Sequence, residues 1–256
     1  MTHHAGLYSP QVSRYLDRHG LTRMNVRAAL IDMDGTLYDS MPLHAKAWVE
    51  MLSSVGIDEP AAEFFRVEGM TGAAVIDIMM RRHRGRGVTP QEVKELYGRK
   101  TELFRGYGSP QPMPGAGRML RFFKEAGIEC VLVTGSGQRS LIDALERDYP
   151  GVFDPAIMVT GDSVVNGKPH PEPYLRGLEA AGVAASGAIV VENAPLGVES
   201  GHAAGIFTVG VNTGPIDIRE LEASGADAVF DSMPRFADAL PALVYDMMMT
   251  RRSVGG

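Results

Sequence analysis

Cysteine is almost absent from this chain of 256 residues. The single cysteine, Cys130, excludes an intrachain disulfide, and it lies in the apolar segment Glu-Cys-Val-Leu-Val. Such a segment is typical of a buried strand in a protein of a reducing compartment. We therefore expect Cys130 to have a structural role.

Long hydrophobic runs and an excess of positive charge are also absent. No segment approaches the roughly 20 apolar residues that a membrane span needs, and the first residues show no basic region followed by an apolar stretch. The formal net charge of -6 gives no overall electrostatic reason to bind nucleic acid or an anionic membrane. These absences predict a cytoplasmic protein, a monomer or weak dimer, with no nucleic-acid or membrane partner.

Short apolar runs alternate with helical segments over most of the chain. At 45% hydrophobic residues, the chain is long enough for one large domain and a smaller one. The alternation predicts a doubly wound α/β core with a parallel sheet, whose site lies at the carboxyl ends of the strands. The predicted strands cover residues 28–32, 130–134, 156–160, 188–192, 207–211 and 228–230.

The region between the first two predicted strands has a different pattern. Residues 41–111 contain four helical segments and no strand signal, which predicts an inserted, all-helical cap domain. The segment 108–115 holds three prolines and two glycines, so it cannot continue a helix and would return the chain to the core. The core is then formed by residues 1–40 and 112–256, in which residues 1–26 are an N-terminal extension.

The first predicted strand ends in a pair of carboxylates, Asp32 and Asp34, followed by a glycine turn. Two acids this close repel each other unless a cation lies between them or one is protonated. The pair therefore suits a hard cation and a phosphoryl group. The alternative is structural, with one acid capping a helix and the other in a turn.

Two further segments fit the chemistry of a phosphate site. Thr134 ends a predicted strand, where its hydroxyl and the neighbouring amides of Gly135 and Ser136 can face phosphate oxygens, although a strand that ends in Thr-Gly is often only a turn. Lys168 is followed by Pro169, which restricts it locally, and a lysine there would offset the charge of a transferring group.

Four segments in this order resemble the motifs of the haloacid dehalogenase superfamily, in its β-phosphoglucomutase-like or CbbY-like phosphohydrolase branch. The string Asp-Met-Asp-Gly-Thr at 32–36 matches the first motif nearly letter for letter. The segments 131–137, 167–171 and 190–197 are similar to the later motifs. The resemblance covers most of the predicted core, and the helical insert is at the position of that branch's cap.

The resemblance implies a role for each matched residue. Asp32 would attack phosphorus and form an aspartyl-phosphate, and Asp34 would be the general acid and base. Thr134 and Lys168 would hold the phosphoryl group. His44 matches a histidine that contacts the general acid in this branch, although a partly exposed cap histidine is the alternative.

The same resemblance implies Mg²⁺, held by Asp32, by Asp34 and by residues of the fourth motif, at 190–197. The family usually has two acids at this last place, where this chain has Glu192 and Asn193. An asparagine can ligate magnesium through its amide oxygen but adds no negative charge. We expect Glu192 to ligate the metal directly or through water.

Glu68, in the cap segment Glu-Gly-Met-Thr-Gly, can replace the charge missing at Asn193. The mutases of this branch carry an arginine about where this chain has Gly72, and that arginine holds the second phosphate of a sugar bisphosphate. We therefore hypothesise that Glu68 approaches the metal when the cap closes. A helix-capping or solvated Glu68 is the alternative.

These observations predict a magnesium-dependent phosphohydrolase for a small phosphorylated metabolite, either a sugar phosphate or pyrophosphate. A hexose-phosphate mutase of the β-phosphoglucomutase type is the alternative. A phospho-receiver or an inactive binding scaffold is less consistent with the motifs. The basic run at 81–86 is short and lacks interleaved aromatics, so a solvated helix end is favoured over a binding surface.

Overall fold

A five-stranded parallel sheet forms the centre of the protein, as seen in a computed structural model that describes residues 6–136 and 139–249, without the side chains of 139–142. The strand order is β2-β1-β3-β4-β5, which confirms the predicted doubly wound α/β fold. The strands are β1 Ala28–Ile31, β2 Glu129–Leu132, β3 Ala188–Glu192, β4 Phe207–Val211 and β5 Ala228–Phe230.

The central strand β1 is buried on both faces, as its unbroken apolar sequence predicts. Leu30 pairs in register with Val131 on one side and with Val190 on the other. Successive residues point to opposite faces, so Ala29 and Ile31 belong to one hydrophobic cluster while Leu30 belongs to the other. Burial of β1 leaves only its carboxyl end free to carry polar chemistry.

One predicted strand, residues 156–160, is wrong. The chain there begins with a short 3-10 helix, Pro155–Ile157, and Val159 forms only a single bridge with Val133. Proline cannot donate to a strand ladder, and the Asp154 side chain accepts the amide of Ala156 at 2.9 Å, so local bonds replace strand pairing.

Eleven α-helices lie within the described residues, and four of them form the predicted helical insert at 41–111. Residues 1–5, 137–138 and 250–256, among them Gly137 of the segment that resembles the second motif, lie outside the described residues. The helices are α1 Ser9–His19, α2 Met41–Ser53, α3 Ala62–Arg66, α4 Gly72–Arg84, α5 Pro90–Gly106, α6 Ala116–Glu125, α7 Arg139–Asp148, α8 Glu172–Ala181, α9 Pro195–Ala203, α10 Ile218–Ala223 and α11 Met233–Met248.

Helices α2 to α5 pack around a hydrophobic cluster of their own, while Ala47 of α2 and Phe104 of α5 belong to a cluster beside the sheet. Trp48 stacks on Phe64 with 6.0 Å between the ring centroids, and Met51, Ile76 and Met79 are fully buried. A hydrophobic cluster of its own is what a cap domain needs. The domain boundaries at 40/41 and 111/112 stay a prediction.

The N-terminal extension is bound to the core. Asp246 of α11 accepts the amides of Gly6 and Tyr8 at 2.8 and 2.9 Å, and Arg18 of α1 pairs with the buried Asp227 at 2.6 Å. These contacts make α1 part of the core's packing.

The basic run at the end of α4 is neutralised inside the cap. Arg82 and His83 both contact the buried Glu59, at 2.9 and 2.7 Å. The remaining arginines also have partners: Arg81 with Asp77, Arg84 with the Val55 carbonyl and Arg86 with Glu92. The structure therefore favours a structural role for this run.

Within the described residues, no helix is both long and apolar enough to cross a membrane.

Gly115, where the chain re-enters the core, gives a stability prediction. Its φ is +96°, and a Cβ there would lie 2.7 Å from the backbone nitrogen of Pro234. Gly115→Ala should lower the free energy of unfolding by about 2 to 4 kcal/mol, because strain and a backbone clash add together.

The matched control is Gly117→Ala, two residues further on, where a Cβ would meet nothing within 4 Å. It should leave stability unchanged or raise it by up to about 1 kcal/mol, since alanine favours a helix. Urea unfolding of both variants is the measurement. Equal stability of the two variants would show that the close approach at Gly115 is not required.

Candidate active site

Asp32 directly follows β1 and is paired with the ammonium group of Lys168. The Lys168 Nζ lies 2.6 Å from Asp32 Oδ1 and 2.6 Å from Glu192 Oε1, and it also donates to the carbonyl of Val133 at 3.1 Å. All three charged side chains are buried. The ends of β1, β2 and β3 thus meet at one lysine, as the sheet topology requires.

Glu192 holds this lysine in place. Oε1 accepts from Lys168 and from the hydroxyl of Tyr174, while Oε2 accepts the backbone amides of Asn193 and Ala194. A carboxylate offers about four lone-pair positions, and these four donors occupy them. In this arrangement Glu192 therefore supports Lys168, and its ligation of a metal, directly or through water, stays a prediction.

Burial raises the pKa of Asp32 well above its usual range, and the charges of Glu192 and Asp34 raise it further, while Lys168 opposes them. The pKa of Lys168 is itself raised by Asp32 and Glu192 against the effect of burial. A further cation beside Asp32 would favour its ionised form.

Asp34 lies at the end of a chain of hydrogen bonds that leads into the cap. Its Oδ1 accepts from the hydroxyl of Ser40 at 2.6 Å and lies 3.0 Å from His44 Nε2. Burial alone would raise the pKa of Asp34, but His44 and Ser40 outweigh it and lower the pKa. Asp34 is therefore ionised in this arrangement.

Lys100 completes this chain, and sequence reasoning missed it. Its ammonium lies 2.6 Å from His44 Nδ1; because lysine only donates, the proton of a neutral His44 is on Nε2 and is donated to Asp34. Burial lowers the pKa of His44, in keeping with a neutral ring. The available signal was a lysine on the apolar face of α5, four residues before the buried Phe104.

Aromatic rings enclose the Lys100 ammonium. It lies 5.1 Å from the ring centre of Trp48 and 5.3 Å from that of Phe104, and the residue is only 2% exposed. Burial lowers the pKa of Lys100 to about 8. This lysine is a cation of the cap that is poised to lose its proton slightly above neutral pH.

Glu68 and Asn193 meet across the boundary between cap and core. Asn193 Nδ2 donates to Glu68 Oε1 at 2.8 Å, while Asn193 Oδ1 accepts from the hydroxyl of Thr36 at 3.0 Å. Burial raises the pKa of Glu68 well above its usual range. Glu68 is neither solvated nor a helix cap, because it is buried and Thr71 caps α4 instead.

The predicted phosphate-binding turn after β2 lies directly beneath the cap loop. The amide of Ser136 donates to Thr134 Oγ1 at 3.0 Å, which leaves the hydroxyl proton of Thr134 able to turn toward a phosphate. A Cβ on Gly135 would lie 2.5 Å from the carbonyl oxygen of Gly69, and a Cβ on Gly69 would lie 3.0 Å from Lys168 Cδ. Glycine at both positions allows the cap to approach this closely.

A cavity of about 60 Å³ lies between the core residues and the cap. Its floor contains Asp32, Asp34 and Thr134, and Glu68 borders it from the cap. The part contributed by the cap is mainly apolar and aromatic, with one lysine: Trp48, Phe64, Val67, Met70, Val75, Tyr97 and Lys100. The structure brings together the predicted site residues Asp32, Asp34, His44, Glu68, Thr134, Gly135 and Ser136 around this cavity.

The donor atoms here suit magnesium. Asp32, Asp34 and Glu68 bring carboxylates into one buried region, and the charges of Asp32 and Asp34 add to the effect of burial in raising the pKa of Glu68. Among the described residues, no group of three or more His, Cys, Asp or Glu side chains is placed to hold a metal ion by itself. Magnesium is usually bound by one or two carboxylates together with waters and substrate phosphate.

The fold and these strand-end residues define a hydrolase of the haloacid dehalogenase type. The family model for haloacid dehalogenase-like hydrolases matches residues 26–205. The chain therefore belongs to this family, and the predicted enzyme class, a phosphatase of the haloacid dehalogenase type, is confirmed.

Individual relatives agree with this membership. A phosphorylated carbohydrates phosphatase of Thermotoga maritima is 32% identical over 80% of this chain and 94% of its own length. Hexitol phosphatase A of Escherichia coli is 32% identical over 77% of this chain and 88% of its own length.

A solved structure from Bacteroides vulgatus, provisionally named a β-phosphoglucomutase, superimposes with a TM-score of 0.91 at 41% identity. It covers 94% of this chain and 98% of its own. Proteins named CbbY are also among the matches. The resemblance to the β-phosphoglucomutase-like and CbbY-like branch is thereby confirmed.

The low pKa of Lys100 predicts an alkaline limit to activity. Since Lys100 loses its charge as the pH rises through about 8, kcat/KM for an anionic substrate should decline above that pH. Lys100→Met should lower kcat/KM at pH 7 by about tenfold or more and abolish this limb of the profile.

The control is Lys94→Met, which changes an exposed lysine of the same helix. This variant should keep the wild-type pH profile. The measurement is kcat/KM between about pH 6 and 10 at saturating magnesium. An unchanged alkaline limb in Lys100→Met would show that another group causes it.

Proposed function

We propose that this protein is a magnesium-dependent phosphohydrolase that acts on a small phosphorylated metabolite through an aspartyl-phosphate on Asp32. The observation that carries the proposal is the placement of Asp32 at the cavity floor, bonded to Lys168 and two residues before an ionised Asp34. A nucleophile, a charge-balancing lysine and an acid-base group are thereby in one buried place.

In the first step, an oxygen of Asp32 attacks phosphorus while the bond from phosphorus to the leaving oxygen breaks. Lys168 and the Thr134 hydroxyl support the phosphoryl oxygens, and Asp34 donates a proton to the leaving oxygen. Asp34 must be protonated for this step, and the negative charge of a bound phosphate raises its pKa in that direction.

In the second step, Asp34 accepts a proton from water, whose oxygen attacks phosphorus. The bond between phosphorus and Asp32 breaks, releasing inorganic phosphate and restoring the Asp32 carboxylate. The bonds from Ser40 and His44, which favour the ionised form of Asp34, prepare it to act as this base.

Mg²⁺ would be held by Asp32, Asp34 and Asn193, with Glu68 as the contribution of the cap, and it would supply charge neutralisation at the phosphoryl group. Asn193 Oδ1 now accepts from Thr36, so it serves as a ligand only by sharing that oxygen or turning its amide. Glu68 lies next to Asn193, so its carboxylate can restore the negative charge that asparagine lacks.

A compact substrate fits the cavity best. The cap lining offers mainly apolar and aromatic surface, and Lys100 is its one lysine, so a sugar with many hydroxyls would find few partners there. The relatives named for phosphorylated carbohydrates and hexitols support sugar phosphates as a class. Within the sugar phosphate or pyrophosphate class, the small cavity favours the shortest members.

Mutase activity is the second candidate, and its support is the 41% identical neighbour provisionally named a β-phosphoglucomutase. A mutase must hold a second phosphate while the first is transferred. No arginine lines the cavity among the described residues, and Gly72 stands where such an arginine would be expected. A phospho-receiver and an inactive scaffold find no further support. Cytoplasmic location and a monomer or weak dimer stay predictions.

Two substitutions test the covalent intermediate. Asp32→Asn should reduce phosphate release by at least about 10³-fold, since the nucleophile is lost. Asp34→Asn treated with acetyl phosphate, whose leaving group needs little acid assistance, should accumulate a protein heavier by one phosphoryl group in intact-mass measurements. The double variant should show no such gain.

Asp39→Asn, which changes an exposed acid nearby, is the control and should keep wild-type turnover. The substrates are pyrophosphate, glycerol 1-phosphate, glucose 6-phosphate and β-glucose 1-phosphate with its bisphosphate activator, with magnesium. If β-glucose 1-phosphate is converted to glucose 6-phosphate without net phosphate release, the protein is a mutase and the hydrolase proposal is wrong. Turnover that survives in Asp32→Asn would overturn the proposed nucleophile.

A charge exchange tests Glu68. Glu68→Gln should weaken the apparent affinity for Mg²⁺ by about tenfold or more, and adding Asn193→Asp should recover most of it, because the double variant carries the same number of carboxylates as the wild type. Magnesium titrations of both activity and thermal unfolding supply the measurement.

Asp58→Asn removes an exposed acid of the cap and should leave magnesium affinity unchanged. An affinity that is the same in wild type and Glu68→Gln would remove Glu68 from the metal site. Failure of Asn193→Asp to recover affinity would mean that the loss is not one of charge.

A further inference from the structure

The first residue of α4, Gly72, is covered by an aromatic ring of α5. A Cβ built on Gly72 would lie 2.2 Å from Cε2 and 2.3 Å from Cδ2 of Tyr97. Real Cβ atoms do not approach ring carbons this closely. The Tyr97 ring therefore occupies the space that any side chain at position 72 would need.

The neighbours of the Tyr97 ring hold it in place. The ring of Trp48 lies 6.2 Å away between centroids, and the Lys100 ammonium, one helical turn further along α5, lies 5.9 Å from the Tyr97 ring centre. Both neighbours are buried. A ring packed between a helix start, an indole and a buried ammonium cannot turn aside without disturbing all three.

Tyr97 and Gly72 both line the cavity that contains Asp32 and Asp34. The nucleophile lies on the core side, and Tyr97 belongs to the cap side, so a leaving group must fit between them. With a cavity of about 60 Å³, the ring removes space where a larger leaving group would extend. A small residue in place of Tyr97 would enlarge the cavity on its cap side.

We propose that Tyr97, packed on Gly72, is the specificity-determining residue that limits the size of the leaving group. This inference rests on the proposed phosphohydrolase function and deepens it, because Tyr97 would restrict the substrates to phosphate compounds with a compact leaving group. The limit comes from the bulk of the ring, not from the hydroxyl. Tyr97 sorts substrates and takes no part in the transfer of the phosphoryl group.

The test compares three substrates, pyrophosphate, glycerol 1-phosphate and glucose 6-phosphate. Their leaving groups are phosphate, glycerol and glucose, which increase in size. In Tyr97→Ala, the ratio of kcat/KM for glucose 6-phosphate to that for pyrophosphate should rise by about tenfold or more, as expected when a steric contact of a few kcal/mol is removed. Tyr97→Phe keeps the ring and should keep the wild-type ratio.

Leu96→Ala is the matched control for damage to the cap. Leu96 is the neighbour of Tyr97 on α5 and belongs to the same hydrophobic cluster, but it lines a different cavity. A general loss of cap packing should lower kcat/KM for all three substrates together in both variants. Only removal of a size limit raises activity on the larger substrate.

A double-substitution cycle tests the contact itself. Gly72→Ala should destabilise the protein to thermal unfolding in the wild-type background but have little effect in the Tyr97→Ala background, because the clashing ring is gone. Equal effects in the two backgrounds would show that the ring does not rest on Gly72.

Binding measurements separate this inference from the proposed function. In Asp32→Asn with magnesium, calorimetry gives the dissociation constants of glycerol 1-phosphate and glucose 6-phosphate without turnover, and Tyr97→Ala should shift their ratio toward the larger ester. If wild-type protein releases no phosphate yet this ratio shifts, the hydrolase proposal fails and the size limit stands. An unshifted ratio, or a Tyr97→Phe variant that behaves like Tyr97→Ala, overturns the size limit.

Discussion

The ion triad of Lys168 with Asp32 and Glu192 is the interaction on which the site depends. Its two contacts of 2.6 Å join the carboxyl ends of β1 and β3 to the loop before α8. Removing one member of a buried ion pair leaves an uncompensated charge and costs about 3 to 5 kcal/mol. Under the proposed mechanism the triad combines two tasks, because the lysine that stabilises the buried acids would also support the transferring phosphoryl group.

The cap completes what the triad leaves unbalanced. Asp34 and Glu68 add further buried acids beside Asp32, and burial raises the pKa of both Asp32 and Glu68. A divalent cation between them would relieve this excess. Because Glu68 comes from the cap, the proposed cation site would be complete only with the cap in this position, which would link exclusion of water to readiness for catalysis.

The shape of the cavity depends on residues without side chains. Gly135 meets the Gly69 carbonyl, and Gly72 meets the Tyr97 ring, each at a distance that a Cβ would forbid. The first contact brings the cap loop onto the phosphate-binding turn, and the second shapes the space for the leaving group. Small residues at these places thus determine the depth and width of the cavity.

The sequence by itself determined the strand-end motifs of Asp32, Asp34, Thr134 and Lys168, because parallel sheets bring their carboxyl ends together and apolar runs reveal the strands. It also determined the helical insert. Only the tertiary structure decided that Glu192 supports Lys168, that Lys100 contacts His44, and that residues 156–160 form no strand. Those outcomes depend on which donors and acceptors meet across elements distant in the chain, and local pattern carries no information about such contacts.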